Sequence, residues 1–222
     1  MFDDFKYLFA YTVPLATFFS IFSDGILTFI TPIYTFIFIP TLEAILKERE
    51  TKTIYSEKQI QNKLTNKIFD YLLYGNIPMV FILLISGIYI LSNNSLMTYE
   101  AIGISLSIGI LLATNAINVA HELGHRKSIL DRTLSKILLI PCLYMHFYLE
   151  HNFGHHKNVA TPEDPATSRY NQTVYSFWIT SVFNQYLNAW KIQKDILTRS
   201  KKDFFSFQNE MIWYHLIQFV YL

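Results

Sequence analysis

The sequence predicts an all-α fold, a polytopic bundle of membrane helices. Of its 222 residues, 51% are apolar and only 16% are charged, whereas about a quarter of a typical soluble domain is charged. The apolar residues fall in long runs separated by charged stretches, which is typical of membrane helices. Five of the seven histidines follow these runs in two short groups. They add to the predicted fold a histidine-rich metal site on the cytoplasmic face.

Four apolar runs in the first half are each long enough to cross a bilayer, at about 7–23, 26–42, 71–91 and 99–119. The first two are separated by the short turn Ser23-Asp24-Gly25. At 1.5 Å per residue, the run 71–91 spans about 31 Å. The N-terminus lacks the positively charged start and the cleavage site of a signal peptide. We therefore expect the first run to remain in the membrane.

Lysine and arginine residues orient these runs. The connection 43–70 contains six cations, whereas the turns 23–25 and 92–98 contain none. By the positive-inside rule, the connection, the N-terminus and the chain after residue 119 are cytoplasmic. The sequence thus predicts three parts. Residues 1–119 form four membrane spans with the cytoplasmic connection 43–70, residues 120–210 lie on the cytoplasmic face, and residues 211–222 begin a further, truncated span.

Two shorter apolar stretches within 120–210 are predicted not to cross the membrane. The stretch 137–149 has only 13 residues and is flanked by histidine groups that must meet on one face, so we expect a re-entrant or interfacial helix. The stretch 173–190 is interrupted by polar side chains and is followed by five cations within 191–202. This pattern favours a helix at the membrane surface.

The histidine groups have the spacing of metal ligands. The first reads HELGH, with His121 and His125, and the second reads EHNFGHH, with His151, His155 and His156. On an α-helix, residues four apart point the same way, so each i, i+4 pair can hold one metal ion. At 100° per residue, His156 lies away from the face shared by His151 and His155. The spacing therefore predicts four imidazoles around a first metal and His156 turned towards a second.

Other interpretations of these motifs remain open. HELGH also matches the HExxH motif of zinc proteases, but three further histidines and a position at the end of a span favour a larger site. Imidazole suits zinc, copper, iron or nickel. Asn115 and Asn118 fall on the same helical arc as the first pair. They either support the ligands or form hydrogen bonds between helices.

Two segments resemble the first two histidine boxes of the bacterial alkane 1-monooxygenases. They are HELGHR at 121–126 and HFYLEHNFGHHKNVATPEDPATSR at 146–169. Ile39-Pro40-Thr41-Leu42-Glu43, with glutamate where aspartate is usual, and Asn209-Glu210-Met211 resemble the same family. The resemblance implies a bacterial inner-membrane enzyme with two iron ions held by nine histidines. It would hydroxylate the terminal methyl group of medium-chain alkanes with dioxygen and electrons from rubredoxin and rubredoxin reductase.

Carried onto this sequence, the resemblance assigns five iron ligands: His121, His125, His151, His155 and His156. The other four are expected downstream, so the chain alone is expected to be inactive. Related histidine-box enzymes, an alkylbenzene methyl hydroxylase or a lipid desaturase, are alternatives, as is an intramembrane zinc protease.

Several neighbouring residues are candidates for supporting roles. Glu122, Glu150 and Asp164 either orient ligand imidazoles through their second nitrogen or are surface charges and caps. His146 is expected to support or pack near the site. His215 is expected to be a hydrogen-bonded helix residue.

The remaining features concern turns, substrate and partners. The segment from Thr161 to Pro165 predicts a rigid turn that ends the second ligand helix. Aromatic side chains in the second and third spans would either line a slot for an apolar substrate or face lipid; these are Tyr34, Phe36, Phe38 and Phe81. The net charge of +1 argues against a nucleic-acid partner.

Overall fold

The regular elements of this protein are helices throughout the described residues. A computed structural model describes residues 2–46, 56–64, 66–93 and 95–222, and it contains no strand within them. The all-α prediction is therefore confirmed. The chain divides into two compact units, residues 1–119 and 120–222. Lys47, Arg49 and Lys52 of the predicted cytoplasmic connection lie outside the described residues.

The first unit contains six helices within its described residues: α1 (Thr12–Ile21), α2 (Ile30–Ile33), α3 (Ile39–Leu46), α4 (Glu57–Leu64), α5 (Ile68–Asn93) and α6 (Thr98–Leu111). Two 3-10 helices, Phe2–Tyr11 and Gly25–Phe29, precede α1 and α2. Two π-helical turns, Tyr34–Phe38 and Leu112–Ile117, follow α2 and α6. The unit boundary lies within the next helix, α7 (Asn118–Gly124).

Three helical segments in the described part of the chain are long and apolar enough to cross a membrane. They are Gly25–Leu46, Ile60–Asn93 and Thr98–Gly124, and they contain the predicted runs 26–42, 71–91 and 99–119. The run 7–23 is not among them. It is divided between the 3-10 helix Phe2–Tyr11 and α1, so a fourth span remains a prediction.

Small polar side chains join the helices of the first unit. The hydroxyl of Ser107 donates to the carbonyl of Thr28 at 3.1 Å. The amide of Asn115 donates to the side-chain oxygen of Asn76 at 2.8 Å and to the carbonyl of Ala10 at 3.0 Å. Such bonds are common between membrane helices. They support the hydrogen-bonding interpretation of Asn115, while Asn118 is exposed.

The predicted turn between the first two apolar runs is present. Gly25 has a φ of +63°, a conformation that glycine adopts without steric cost. Its backbone N–H donates to the Glu100 carboxylate at 2.6 Å. This contact fixes the turn to the start of α6.

The second unit contains the end of α7 and five further helices: α8 (Ile129–Leu139), α9 (Phe147–Glu150), α10 (His156–Asn158), α11 (Val174–Arg199) and α12 (Glu210–Tyr221). A π-helical turn, His151–His155, connects α9 to α10. Side-chain caps start the longer helices, because Ser128, Thr173 and Asn209 each accept backbone N–H bonds of the first turn. The predicted helix over 173–190 is confirmed and continues to Arg199.

The prediction of one helix over 137–149 was wrong. Helix α8 ends at Leu139 and α9 begins at Phe147. Pro141 lacks the N–H that would continue the helix, and Leu143 has a φ of 50°. The helix is therefore interrupted between Leu139 and Phe147. The predicted turn from Thr161 to Pro165 is present, because the Asp164 N–H donates to the Thr161 carbonyl at 3.2 Å and the preceding helix ends at Asn158.

Candidate metal centre

Four imidazoles meet at one point of the second unit. His121, His125, His151 and His156 place one ring nitrogen each within 4.8 Å of the others. The Nε2 atom of His125 lies 3.1 Å from that of His121, 3.2 Å from that of His151 and 3.3 Å from that of His156. The Nε2 atoms of His151 and His156 are 3.0 Å apart.

The chemistry of this donor set fits a metal ion. A neutral imidazole has one N–H, so the Nε2 atom of His125 cannot form hydrogen bonds with all three of the Nε2 atoms beside it. Two nitrogens bound to one ion at about 2.1 Å, at angles of roughly 90° to 110°, lie about 3.0–3.4 Å apart. The observed separations of 3.0–3.3 Å match this range. The cluster can therefore hold a transition metal that favours imidazole.

Regular helical spacing produces the first pair. His121 lies in α7 and His125 directly follows its last residue, and their rings are 4.5 Å apart at an interplanar angle of 89°. This arrangement is the one predicted from HELGH. Gly124 lies beside them, where an added Cβ would meet the Ser135 hydroxyl at 3.2 Å.

The π-helical turn produces the second group. The backbone N–H of His156 donates to the carbonyl of His151, an i to i+5 bond that brings residues five apart onto one side of the helix. The predicted grouping, with His155 in the cluster and His156 turned away from it, was therefore wrong. It assumed 100° per residue throughout, whereas the π turn places His156, rather than His155, with His121, His125 and His151.

His155 is held beside the cluster by a buried carboxylate. Its Nδ1–H donates to the Asp164 carboxylate at 2.9 Å, which leaves Nε2 with a lone pair. Asp164 is fully buried and also accepts from the Thr167 hydroxyl at 2.5 Å and the Ala166 N–H at 2.9 Å. Carboxylates commonly orient metal-binding imidazoles in this way. A ligand role for His155 remains a prediction.

The electrostatics of the site favour neutral imidazoles. Burial, reinforced by the neighbouring histidines, lowers the pKa of His151 to about 3. Burial, together with His125 and His155, also lowers the pKa of His156. Burial acts in the opposite sense on Asp164, but hydrogen bonds from Thr167, Ala166 and His155 hold its pKa below the usual value. Neutral imidazole is the form that binds metals.

The other two acidic candidates do not contact a ligand imidazole in the described structure. Glu122 is exposed, with its carboxylate 3.9 Å from the Arg126 guanidinium. Glu150 is buried, and one of its oxygens accepts from the Asn188 amide at 3.0 Å. Burial raises the pKa of Glu150, against the effect of the Asn188 bond. Of the three acidic candidates, Asp164 is thus the one that orients a histidine.

His146 and His215 lie outside the cluster. His146 is buried against the rings of Tyr144 and Tyr186, at 4.7 and 5.3 Å, and burial lowers its pKa to about 4. His215 lies 2.8 Å from the Tyr186 hydroxyl and 2.6 Å from the Met211 carbonyl. The predicted packing role of His146 and the predicted bonded state of His215 agree with these contacts.

Two contacts of the site were missed from the sequence. The ring of Phe147 stacks on that of His151 at 4.8 Å, and its position four residues before His151 could have indicated this. Asn188 reaches Glu150 from α11, 38 residues along the chain. No local pattern marks that contact.

Comparison with known proteins adds independent information. Residues 98–222 match the family model described as fatty acid desaturase. The alkane 1-monooxygenase of Acinetobacter baylyi is 36% identical over 82% of this chain and 44% of its own length. That of Pseudomonas putida is 34% identical over 78% of this chain and 42% of its own length. A less similar relative is the xylene/toluene monooxygenase hydroxylase component of Pseudomonas putida, 29% identical over 52% of this chain and 31% of its own length. The matched part of the chain thus covers less than half of each of these relatives.

Proposed function

The chain belongs to the fatty acid desaturase family, and from that membership we propose that it carries part of the metal centre of a membrane enzyme that hydroxylates alkanes. The observation that carries the proposal is the cluster of four Nε2 atoms. Two relatives named alkane 1-monooxygenase match about 80% of the chain and support the reaction.

We assign the metal as iron, in a two-iron centre. His121, His125, His151 and His156 would hold one ion, and His155, oriented by Asp164, would contribute to a second. Iron held there would supply the activation of dioxygen for methyl hydroxylation, in which one oxygen atom enters the C–H bond and the other leaves as water with two electrons from the donor and two protons. The residues of this chain keep the imidazoles neutral and oriented. Further protein ligands would complete the second ion.

An alkane substrate is supported by an apolar cavity in the first unit. The cavity has a volume of about 580 Å³, which lies within the range of roughly 300–1,000 Å³ that is typical of ligand pockets. It lies between α1 and α5, and its lining includes Pro14, Leu15, Phe18, Met79 and Leu83. The aromatic side chains predicted for this purpose are not in its lining. Phe36 and Phe38 are instead 69% and 52% exposed, as expected for the lipid-facing alternative.

The proposed enzyme would need an electron donor and a membrane location. Rubredoxin and rubredoxin reductase would deliver the electrons, as the resemblance implies. The enzyme would lie in the bacterial inner membrane with its metal centre on the cytoplasmic side. The three candidate spans support a membrane location. The cations of the 43–70 connection support the orientation.

Metal analysis of the protein purified from membranes tests the proposal. We expect iron, and we expect His125→Ala to lower the iron content, whereas Lys127→Gln, two residues away, should leave it unchanged. One zinc per chain without iron would overturn the oxygenase assignment and favour the HExxH protease.

A second candidate is hydroxylation of the methyl group of an alkylbenzene. The match to the xylene/toluene enzyme favours it, although that match covers less of the chain than the alkane 1-monooxygenase matches do. Competition between octane and toluene in the enzyme that carries the complete set of metal ligands, with products measured by gas chromatography, separates the two. We expect octanol to dominate.

A further inference from the structure

A basic cleft lies between the second histidine turn and α11. Its volume is about 510 Å³. The turn and the residues after it contribute Phe153 and Lys157, and α11 contributes Lys191, Ile192 and Arg199. None of these side chains takes part in the metal centre described above.

The charges of the cleft are unbalanced. Lys157, Lys191 and Arg199 line it together with a single acidic residue, Asp195. Among the described residues, none of these three cations forms an ion pair within 4.0 Å. Unpaired lysine and arginine side chains in a concave site are suited to bind phosphate. Apolar walls formed by Phe153 and Ile192 lie beside the cations, which suits an amphiphilic ligand.

The same helix has a large exposed apolar face. The side chains that form it recur at intervals of one, three or four residues and are each at least half exposed: Tyr175, Trp178, Ile179, Val182, Phe183 and Leu187. Cations occupy the C-terminal half of α11, from Lys191 to Arg199. An apolar face with tryptophan and tyrosine, followed by lysine and arginine, is typical of a helix that lies in a membrane interface.

We propose that this cleft binds the phosphate headgroup of an anionic phospholipid, while the exposed apolar face of α11 lies in the lipid. Lipid is favoured over a soluble acidic protein because the site is concave and partly apolar, and because the apolar face continues along the same helix. The site goes beyond the proposed reaction and does not depend on it. Asn152, Phe153 and Gly154 line the cleft and belong to the turn that carries His151 and His155. A bound headgroup would therefore also hold this turn against α11.

Lipid binding by the purified protein tests the proposal. The protein in detergent is titrated with phosphatidylglycerol or phosphatidylcholine, and bound lipid is counted by native mass spectrometry. We expect preference for phosphatidylglycerol. Each cation near a lipid surface is worth roughly a fivefold change in affinity, so Lys191→Gln combined with Arg199→Gln should weaken binding about thirtyfold. Lys191→Arg, which keeps the charge, should bind as the unmodified protein does.

A matched control removes two charges from outside the cleft lining. Lys127→Gln combined with Lys202→Gln, both outside the cleft lining and outside the cationic half of α11, lowers the net charge equally, and we expect less than a twofold change in lipid affinity. Equal weakening in this control would mean general electrostatic attraction and would overturn the site. Equal binding of both lipids, or displacement of phosphatidylglycerol by millimolar inorganic phosphate, would also overturn it. Helical content by circular dichroism, measured for each variant, confirms that it is folded.

Discussion

His121 lies in the α-helix α7 and His125 directly follows its end, whereas His151, His155 and His156 lie on and beside a π-helical turn. In the first group, residues four apart share a face. In the second, the bond from the His156 N–H to the His151 carbonyl aligns residues five apart. Imidazoles thus reach the same cluster from an α-helical segment and from a π-helical turn.

The π-helical turn gives His155 and His156 different environments. In a regular helix, His155 would accompany His151 and His156 would turn away. The π turn instead adds His156 to the cluster and leaves His155 stacked on His151 at 5.2 Å, bonded to Asp164. One turn can therefore direct one imidazole to one ion and its neighbour to another. π-Helical turns occur frequently at functional sites.

The most direct way to test this comparison is to remove one histidine from each role. We expect His156→Ala to weaken binding of the first metal equivalent by at least roughly 100-fold, since loss of an orienting partner already costs 10- to 100-fold. His155→Ala should change the affinity for that equivalent less than about tenfold. Cobalt(II) absorption titration of the purified protein measures both. A larger loss of affinity in His155→Ala than in His156→Ala would show that His155, and not His156, binds the first metal ion, as the spacing of a regular helix predicts.

Asp164 tests the role of His155 separately. Asp164→Asn keeps the size of the side chain but removes the charge that holds the Nδ1–H of His155. We expect iron in excess of one per chain to bind roughly 10- to 100-fold more weakly, with little change in the first equivalent. Glu163→Gln, at the exposed neighbouring residue, is the control. Loss of the first equivalent in Asp164→Asn would contradict the division between two ions.

The comparison also shows how much of the site the sequence could predict. HELGH predicted the geometry of the first pair because α7 is regular, and only local spacing is needed there. The π turn could not be predicted in this way, because it depends on which carbonyl each N–H contacts when Gly154 packs against α11. The break at Pro141 was more accessible, since proline removes an N–H whatever its surroundings. The apolar runs predicted the three candidate spans of the described residues, because length and composition alone define them.

Gly124 in α7 and Gly154 in the π-helical turn can be compared by the same substitution. A Cβ at Gly154 would lie 2.8 Å from both Asn188 Nδ2 and Ile192 Cδ1 of α11. Overpacking of this kind costs about 1–3 kcal/mol, partly offset by the preference of helices for alanine. We expect Gly154→Ala to lower the free energy of unfolding by about 1–2 kcal/mol and Gly124→Ala to change it little, because its nearest contact is 3.2 Å. Equal effects in denaturant titrations would show that the π turn is not packed more tightly than α7.

The smallest effect is expected at Glu122, on the regular helix. Its carboxylate is 3.9 Å from Arg126 and its side chain is 56% exposed, so the ion pair contributes at most about 0.5 kcal/mol. Glu122→Gln should therefore leave stability and metal content nearly unchanged. A zinc protease, by contrast, uses the glutamate of HExxH to activate water. If Glu122→Gln is made in the enzyme that carries the complete set of metal ligands, oxidation of octane at close to the original rate would agree with an exposed charge that takes no part in the reaction. A loss of activity of 100-fold or more, with the metal still bound, would show that the regular helix contributes a reacting group besides its two histidines.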